Sequence, residues 1–168
     1  MSDARLTRYD RWMYTTMNRR VGARLYATEG RRRVLVGVHA VLTGAFVTAW
    51  FAAIADGSKA GVWAMAALLL PWCTATGAIN AATRGLLELR RRALDERQRG
   101  ERSEVLARAH RITTALLLAT VVAVGGYGLG GGDLTALTLP VLLGALVTHW
   151  LMPMWVAGLR VRDEPAEE

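Results

Sequence analysis

Two histidines, one cysteine and a short run of thioethers are the side chains in this 168-residue sequence whose types could do chemistry. His39, His149 and Cys73 each stand inside an uncharged stretch, and His149 opens the run His149-Trp150-Leu151-Met152-Pro153-Met154-Trp155. Imidazole, thiol and thioether are ligands of copper(I), and two imidazoles at a common depth can hold haem. Counted along helices at 1.5 Å per residue, His39 lies roughly 9 Å from Arg33 and His149 roughly 16 Å from Arg160. The two rings then differ in depth by about 7 Å, and no tight repeat of ligand residues accompanies them. Haem or copper at His39, His149 and Met152 is therefore the lesser reading, and no cofactor is expected. The preferred role for His39 is a hydrogen bond that locks facing helices, with Asn80 and Thr114 expected near its level. His149, Trp72 and Cys73 are expected deeper. With Cys73 the single cysteine, an intramolecular disulfide is impossible and a cysteine-based metal site has no partner.

The elements that must position these residues are four uncharged runs, at about residues 34–55, 60–83, 112–132 and 134–159. Each is long enough to cross a bilayer as a helix. Apolar residues make up 52% of the chain and charged ones 21%, yet the two classes are segregated. A soluble helix would interleave them so that one face stayed wet. The expected fold is thus all-α: a four-span integral membrane bundle (residues 34–168) preceded by a basic arm (residues 1–33). Small residues recur at spacing four in Ala40, Gly44 and Thr48, in Gly77 and Ala81, and in Gly126 and Gly130. Such stripes let helices approach closely where lipid removes the hydrophobic drive. Pro71 is expected to kink the second run and Pro153 interrupts the fourth. The glycines between Gly125 and Gly132 read as a flexible outer turn, since no lysine follows to make a phosphate loop.

Charge sets the orientation. The arm holds nine arginines, the segment 84–111 nine and the last residues two, so 20 of 21 basic residues share one side and only Lys59 lies on the other. By the positive-inside rule both termini and the segment 84–111 are expected in the cytoplasm, in a cell or inner membrane. The arm lacks the apolar core of a signal peptide. Leu6, Tyr9, Met13, Met17 and Val21 recur at helical spacing, so an amphipathic helix on the membrane surface is expected, with anionic lipid rather than nucleic acid as its partner. The segment 84–111 reads as a helical hairpin. Leu86, Leu87 and Leu89 extend the second helix, Asp95 and Gln98 form a capping box that starts the third, and Glu88–Arg92 and Glu104–Arg108 are i,i+4 pairs.

Leu94-Asp95-Glu96-Arg97-Gln98, with Ala107, Ala109 and Ile112 beyond, resembles a pattern in small uncharacterised prokaryotic membrane proteins. There a D-E-R sequence lies between the second and third of four spans. The resemblance implies the four-span architecture and no activity; Asp95, Glu96 and Arg97, on the hairpin, are expected as a cytoplasmic interaction surface.

No Asp, Glu, Lys or Arg stands inside any of the four runs, which argues against ion-coupled pumping and against a membrane hydrolase. The expected function is non-enzymatic: a structural or accessory component of a membrane complex that packs on itself or on another membrane protein. The alternative is a small oligomeric transporter or channel, with breaks at Pro71 and Pro153 lining a path past His149 and Cys73.

Overall fold

The computed structural model describes residues 7–17, 22–55 and 57–160, and these are all-α, with no strand among them. The helices are α1 (Arg8–Met17), α2 (Glu29–Ala55), α3 (Lys59–Ala82), α4 (Glu96–Leu129) and α5 (Leu134–Arg160), with single 3₁₀ turns at Ala23–Leu25 and Arg91–Ala93. Leu6 and Val21 of the expected amphipathic stripe, Asp56 and the acidic last residues lie outside the described residues.

Side chains start the helices. Thr7 and Asp10 cap α1 reciprocally: the Thr7 hydroxyl accepts from the Asp10 N–H at 3.2 Å, and Asp10 accepts from the Thr7 N–H at 3.0 Å. Ser58 accepts from the Gly61 N–H at the head of α3. Asp95 and Gln98 form the expected capping box of α4, with bonds of 2.7 and 3.1 Å.

The helix ends differ from expectation. Rather than running on through Leu86, Leu87 and Leu89, α3 stops at Ala82. The Gly85 N–H returns to the Asn80 carbonyl, and the Arg84 N–H to that of Ala81, with Arg84 at φ 53° and Gly85 at φ 69°. This left-handed cap turns the chain inward. The reason is burial: Leu86 joins Val105, Ala109, Met152 and Val156 in one cluster, and Leu89 joins Ala93 and Leu94 in another. A continued helix would have thrown those leucines outward. The residues between α3 and α4 are therefore a folded connector, and only its second arm, the start of α4, is regular helix.

At the far end the glycine run is mostly helix. α4 continues through Gly125, Gly126 and Gly128, and the turn begins only at a second left-handed cap, Gly131 at φ 84° with the Gly132 N–H on the Tyr127 carbonyl. Apolar surroundings explain this, because a backbone without water must satisfy its own hydrogen bonds despite the helix-weakening glycines. Pro71, Pro140 and Pro153 all lie inside continuous helices.

α2 packs on α3 and α4 on α5, and the two hairpins meet where α5 lies against α2 and α3. All four long helices are apolar and long enough to cross a membrane, as in a multi-pass membrane protein. At most 22% of residues in their apolar windows are buried within the chain, and for α4 only 6%, so most of that apolar surface faces outward. The core sits at the connector end. On α4 and α5 the buried residues fall between Val105 and Thr113 and between Leu151 and Gly158, and no described side chain from 114 to 150 is buried.

Gly61 makes the closest crossing of α2 and α3: a Cβ there would stand 2.7 Å from the Ala53 nitrogen and 2.8 Å from the Ala49 carbonyl oxygen. At Gly158 of α5 a Cβ would stand 2.9 Å from a side-chain methyl of Val36 and 3.1 Å from one of Ile79. By contrast Gly44, Gly77 and Gly126 have nothing within 4 Å of an added Cβ, so the stripes read from spacing do not serve packing inside this chain. Ala40 and Ala81 are half-buried, Thr48 is exposed, and Gly130 meets only its own turn.

Candidate functional site: a closed polar circuit at the connector end

His39 is fully buried, and its partners are dictated by what each group can donate. The Trp155 indole N–H lies 2.9 Å from Nδ1. An indole only donates, so Nδ1 must accept and Nε2 must carry the hydrogen of a neutral imidazole. Nε2 in turn donates to the Thr76 hydroxyl at 2.9 Å, and that hydroxyl donates to the Trp72 carbonyl. The Trp72 indole donates to the Thr43 hydroxyl at 2.9 Å, and Thr43 donates to the His39 carbonyl at 2.8 Å. The circuit returns to the residue where it began. Trp72 lies against the His39 ring with centroids 5.1 Å apart, and Trp155 meets it edge-on at 6.1 Å.

Three of these bonds cross between helices: His39–Thr76 and Trp72–Thr43 join α2 to α3, and Trp155–His39 brings in α5. In apolar surroundings each such bond contributes about 0.6 kcal/mol, up to about 1.7. His39 thus has no nitrogen left for a metal or for proton exchange with a ligand. Its partner on α3 is Thr76, one turn from the expected Asn80, because α3 ends just beyond Asn80 and the crossing sets the level. Asn80 is half-buried, and its carbonyl caps α3. Thr114 is exposed, and the fourth long helix supplies Trp155 instead.

The remaining expected residues do not converge. Cys73 is exposed on α3 and His149 on α5, while Met152 packs toward Val105 and Ala109 of α4. Among the described residues no group of three His, Cys, Asp or Glu side chains could hold a metal ion. Arg160 pairs with Glu104 at 2.9 Å, and a Cβ on Gly128 would meet Leu134 at 2.8 Å, which fixes the antiparallel register of α4 and α5. His149 then stands near the level of Thr113 and Thr114, at the beginning of the uncharged part of α4. Glu104 is used across helices rather than for Arg108 on its own helix.

A second polar centre ties α1 to the connector. Asp10 is only 2% exposed. Its Oδ2 accepts from Arg92 Nε at 2.7 Å and from the Thr7 hydroxyl at 2.8 Å, and Arg90 stands 3.9 Å from Oδ1 while lying over the Tyr9 ring at 5.1 Å. The Thr7 N–H, then the Thr7 hydroxyl and Arg92, outweigh burial and hold the Asp10 carboxyl down at about 2, below its ordinary 3.8. Met13 packs on the Leu89–Ala93–Leu94 cluster, and Gly85 leaves room for Met17. One face of α1 is therefore docked on the chain itself, while Trp12 and Tyr14 are exposed. Arg92 serves Asp10 rather than Glu88. Burial pushes the Glu88 carboxyl up, against the backbone hydrogen bonds and the nearby Arg102 charge that favour its ionised form.

From α4, Arg99 donates to the Leu94 carbonyl at 3.0 Å and Arg102 to that of Leu89 at 2.8 Å. Asp95 caps α4, whereas Glu96 and Arg97 are exposed. Thr43, Thr76 and Asp10 carry no expectation from spacing, and Trp72, Trp155 and Arg92 serve partners other than the expected ones. Local signals existed for some: His39 with Thr43, and Trp72 with Thr76, stand four apart, and Thr7-x-x-Asp10 has capping-box spacing. Compared with protein families, with curated proteins and with solved structures, the chain matches none.

Proposed function

We propose that the protein is a non-catalytic four-span membrane component, with α1 and the connector on the cytoplasmic side, that assembles laterally with itself or with another membrane protein. The observation that carries this reading is the closed circuit around His39. His39, fully buried among the long helices, spends both ring nitrogens on holding α2, α3 and α5 together. A transporter or membrane hydrolase keeps such a group free for cargo or substrate. The exposed Gly44 and Thr48 of α2 and Gly77 of α3 supply faces on which a neighbouring helix can approach closely. The arginines follow the positive-inside distribution, and Arg8, Arg11 and Arg97 are exposed toward anionic headgroups.

Native mass measurement in mild detergent tests the assembly. A dimer or larger species, or a stoichiometric membrane partner, is expected, and Gly44→Leu is expected to shift it toward monomer. A strictly monomeric parent with no companion defeats the proposal. Orientation is read separately on a Cys73→Ser background: an impermeant maleimide should label Lys59→Cys from outside and spare Ser103→Cys.

A further inference from the structure

The long helices carry many threonines, and most dispose of their hydroxyl in one way. Thr43, Thr48, Thr74, Thr76, Thr120 and Thr138 each donate to the carbonyl one turn earlier. Thr113, Thr114, Thr135 and Thr148 do not. Thr114 is exposed, but Thr113 and Thr148 line a groove of about 330 Å³ between α4 and α5, whose walls are Leu116, Leu117, Val141, Gly144 and Ala145. Thr113 is only 3% exposed, and its hydroxyl makes no hydrogen bond with any described residue. The hydroxyl oxygen itself is not enclosed by protein, so it opens onto the groove and can pair with an occupant there. The volume is at the lower end of the range for small-molecule sites, and an apolar lining with few polar groups is their usual composition.

Register says which way an occupant would lie. Thr113 follows Arg111 by two residues, at the start of the uncharged part of α4, and Thr148 stands beside it in the antiparallel pair. From Thr113 to Thr120 the groove runs roughly 10 Å along α4 toward the far end. Its hydrogen-bonding floor is thus at the polar boundary on the arginine-rich side, and its apolar length points into the bilayer. We infer that this groove holds one acyl chain of a glycerophospholipid from the arginine-side leaflet, its ester oxygen on the Thr113 and Thr148 hydroxyls. The inference rests on the four-span reading given above. It adds a defined lipid site to the lateral assembly proposed there.

The test uses the full chain in liposomes carrying a trace of glycerophospholipid with a diazirine near the head of one acyl chain, followed by peptide mapping of adducts. Adducts are expected to concentrate at 113–120 and 141–148. Gly144→Leu, which fills the groove at a position with nothing within 4 Å of a Cβ, is expected to lower them at least fivefold. Thr113→Val with Thr148→Val keeps the shape, loses the hydroxyls and is expected to lower labelling about threefold. Adducts spread evenly over the outward faces of α2 to α5, or unchanged in Gly144→Leu, overturn the lipid site while leaving the membrane reading intact. Strong groove labelling by a diazirine long-chain alcohol but not by the phospholipid overturns the choice of lipid. Recovery of the intact chain in detergent-free solution overturns both readings together.

Discussion

The two ends of the bundle solve the problem of polar groups among apolar helices in opposite ways. At the connector end, His39, Thr43, Trp72, Thr76 and Trp155 consume one another's donors and acceptors, and most of the buried residues of the four long helices lie toward this end. Toward the far end, α4 and α5 continue as a pair with no described buried side chain from 114 to 150. The first arrangement specifies a single geometry, because moving any member strands a donor. The second leaves helix faces to whatever surrounds them. In a membrane the second costs little, since lipid solvates an apolar face as well as another helix does.

The sharpest way to break this contrast is to remove the imidazole. His39→Ala strands the Trp155 indole and the Thr76 hydroxyl and opens a cavity, and a loss of about 3 kcal/mol is expected. The measure is denaturant-micelle unfolding followed by helicity. A loss below about 0.5 kcal/mol would mean that the circuit does not hold the helices. Next comes a matched glycine pair. Gly61→Ala drives a Cβ into the α2 backbone and is expected to cost about 2 kcal/mol. Gly126→Ala, with open space at the far end, is expected to be neutral or to stabilise by up to about 1 kcal/mol through helix propensity. Both glycines lie toward the far turns, so equal effects at the two positions would erase the difference between the closely crossed α2–α3 pair and the open face of α4.

A smaller effect is expected from Trp155→Phe, which keeps the aromatic packing but loses one interhelical bond, about 0.6 kcal/mol.

The docking of α1 responds to pH with a definite sign. The Asp10 carboxyl is lowered in the folded chain, so its contribution is present above its ordinary 3.8 and fades as pH falls toward about 2. Hydrogen exchange at Arg8–Met17 should accelerate over that window, and Asp10→Asn should show the fast exchange already at neutral pH. Glu88 acts in the other sense. Its raised carboxyl favours the fold at pH below the ordinary carboxylate range and loses that contribution as pH rises through the shifted value, so Glu88→Gln should slow opening of the connector at neutral pH.

Much of this architecture is legible from residue order alone. Segregated charge marks the long helices, and the Asp95–Gln98 box marks the start of α4, because both signals are local or additive along the chain. The end of α3 was hidden because helix propensity says continue, while Leu86 and Leu89 are claimed by side chains distant in sequence. The glycine of the α2–α3 crossing is hidden for a similar reason. Spacing of four identifies a smooth helix face, but only the crossing point decides whether Gly61 or Gly44 lies beneath another helix. Within the circuit, His39 could be singled out as a buried polar group. Its partners could not, since Thr76 and Trp155 reach it through the relative heights of three helices, which no local pattern encodes.

The circuit also bears on how the molecule is made. As the ribosome delivers the chain, α2 and α3 can form a hairpin already joined by His39–Thr76 and Thr43–Trp72, but Nδ1 of His39 then lacks its donor. Only when α5 emerges does Trp155 fill that position. A nascent product cut short before residue 155 would carry a polar defect between its first two long helices, the kind of mark by which quality-control proteases in a membrane can tell unfinished chains from complete ones.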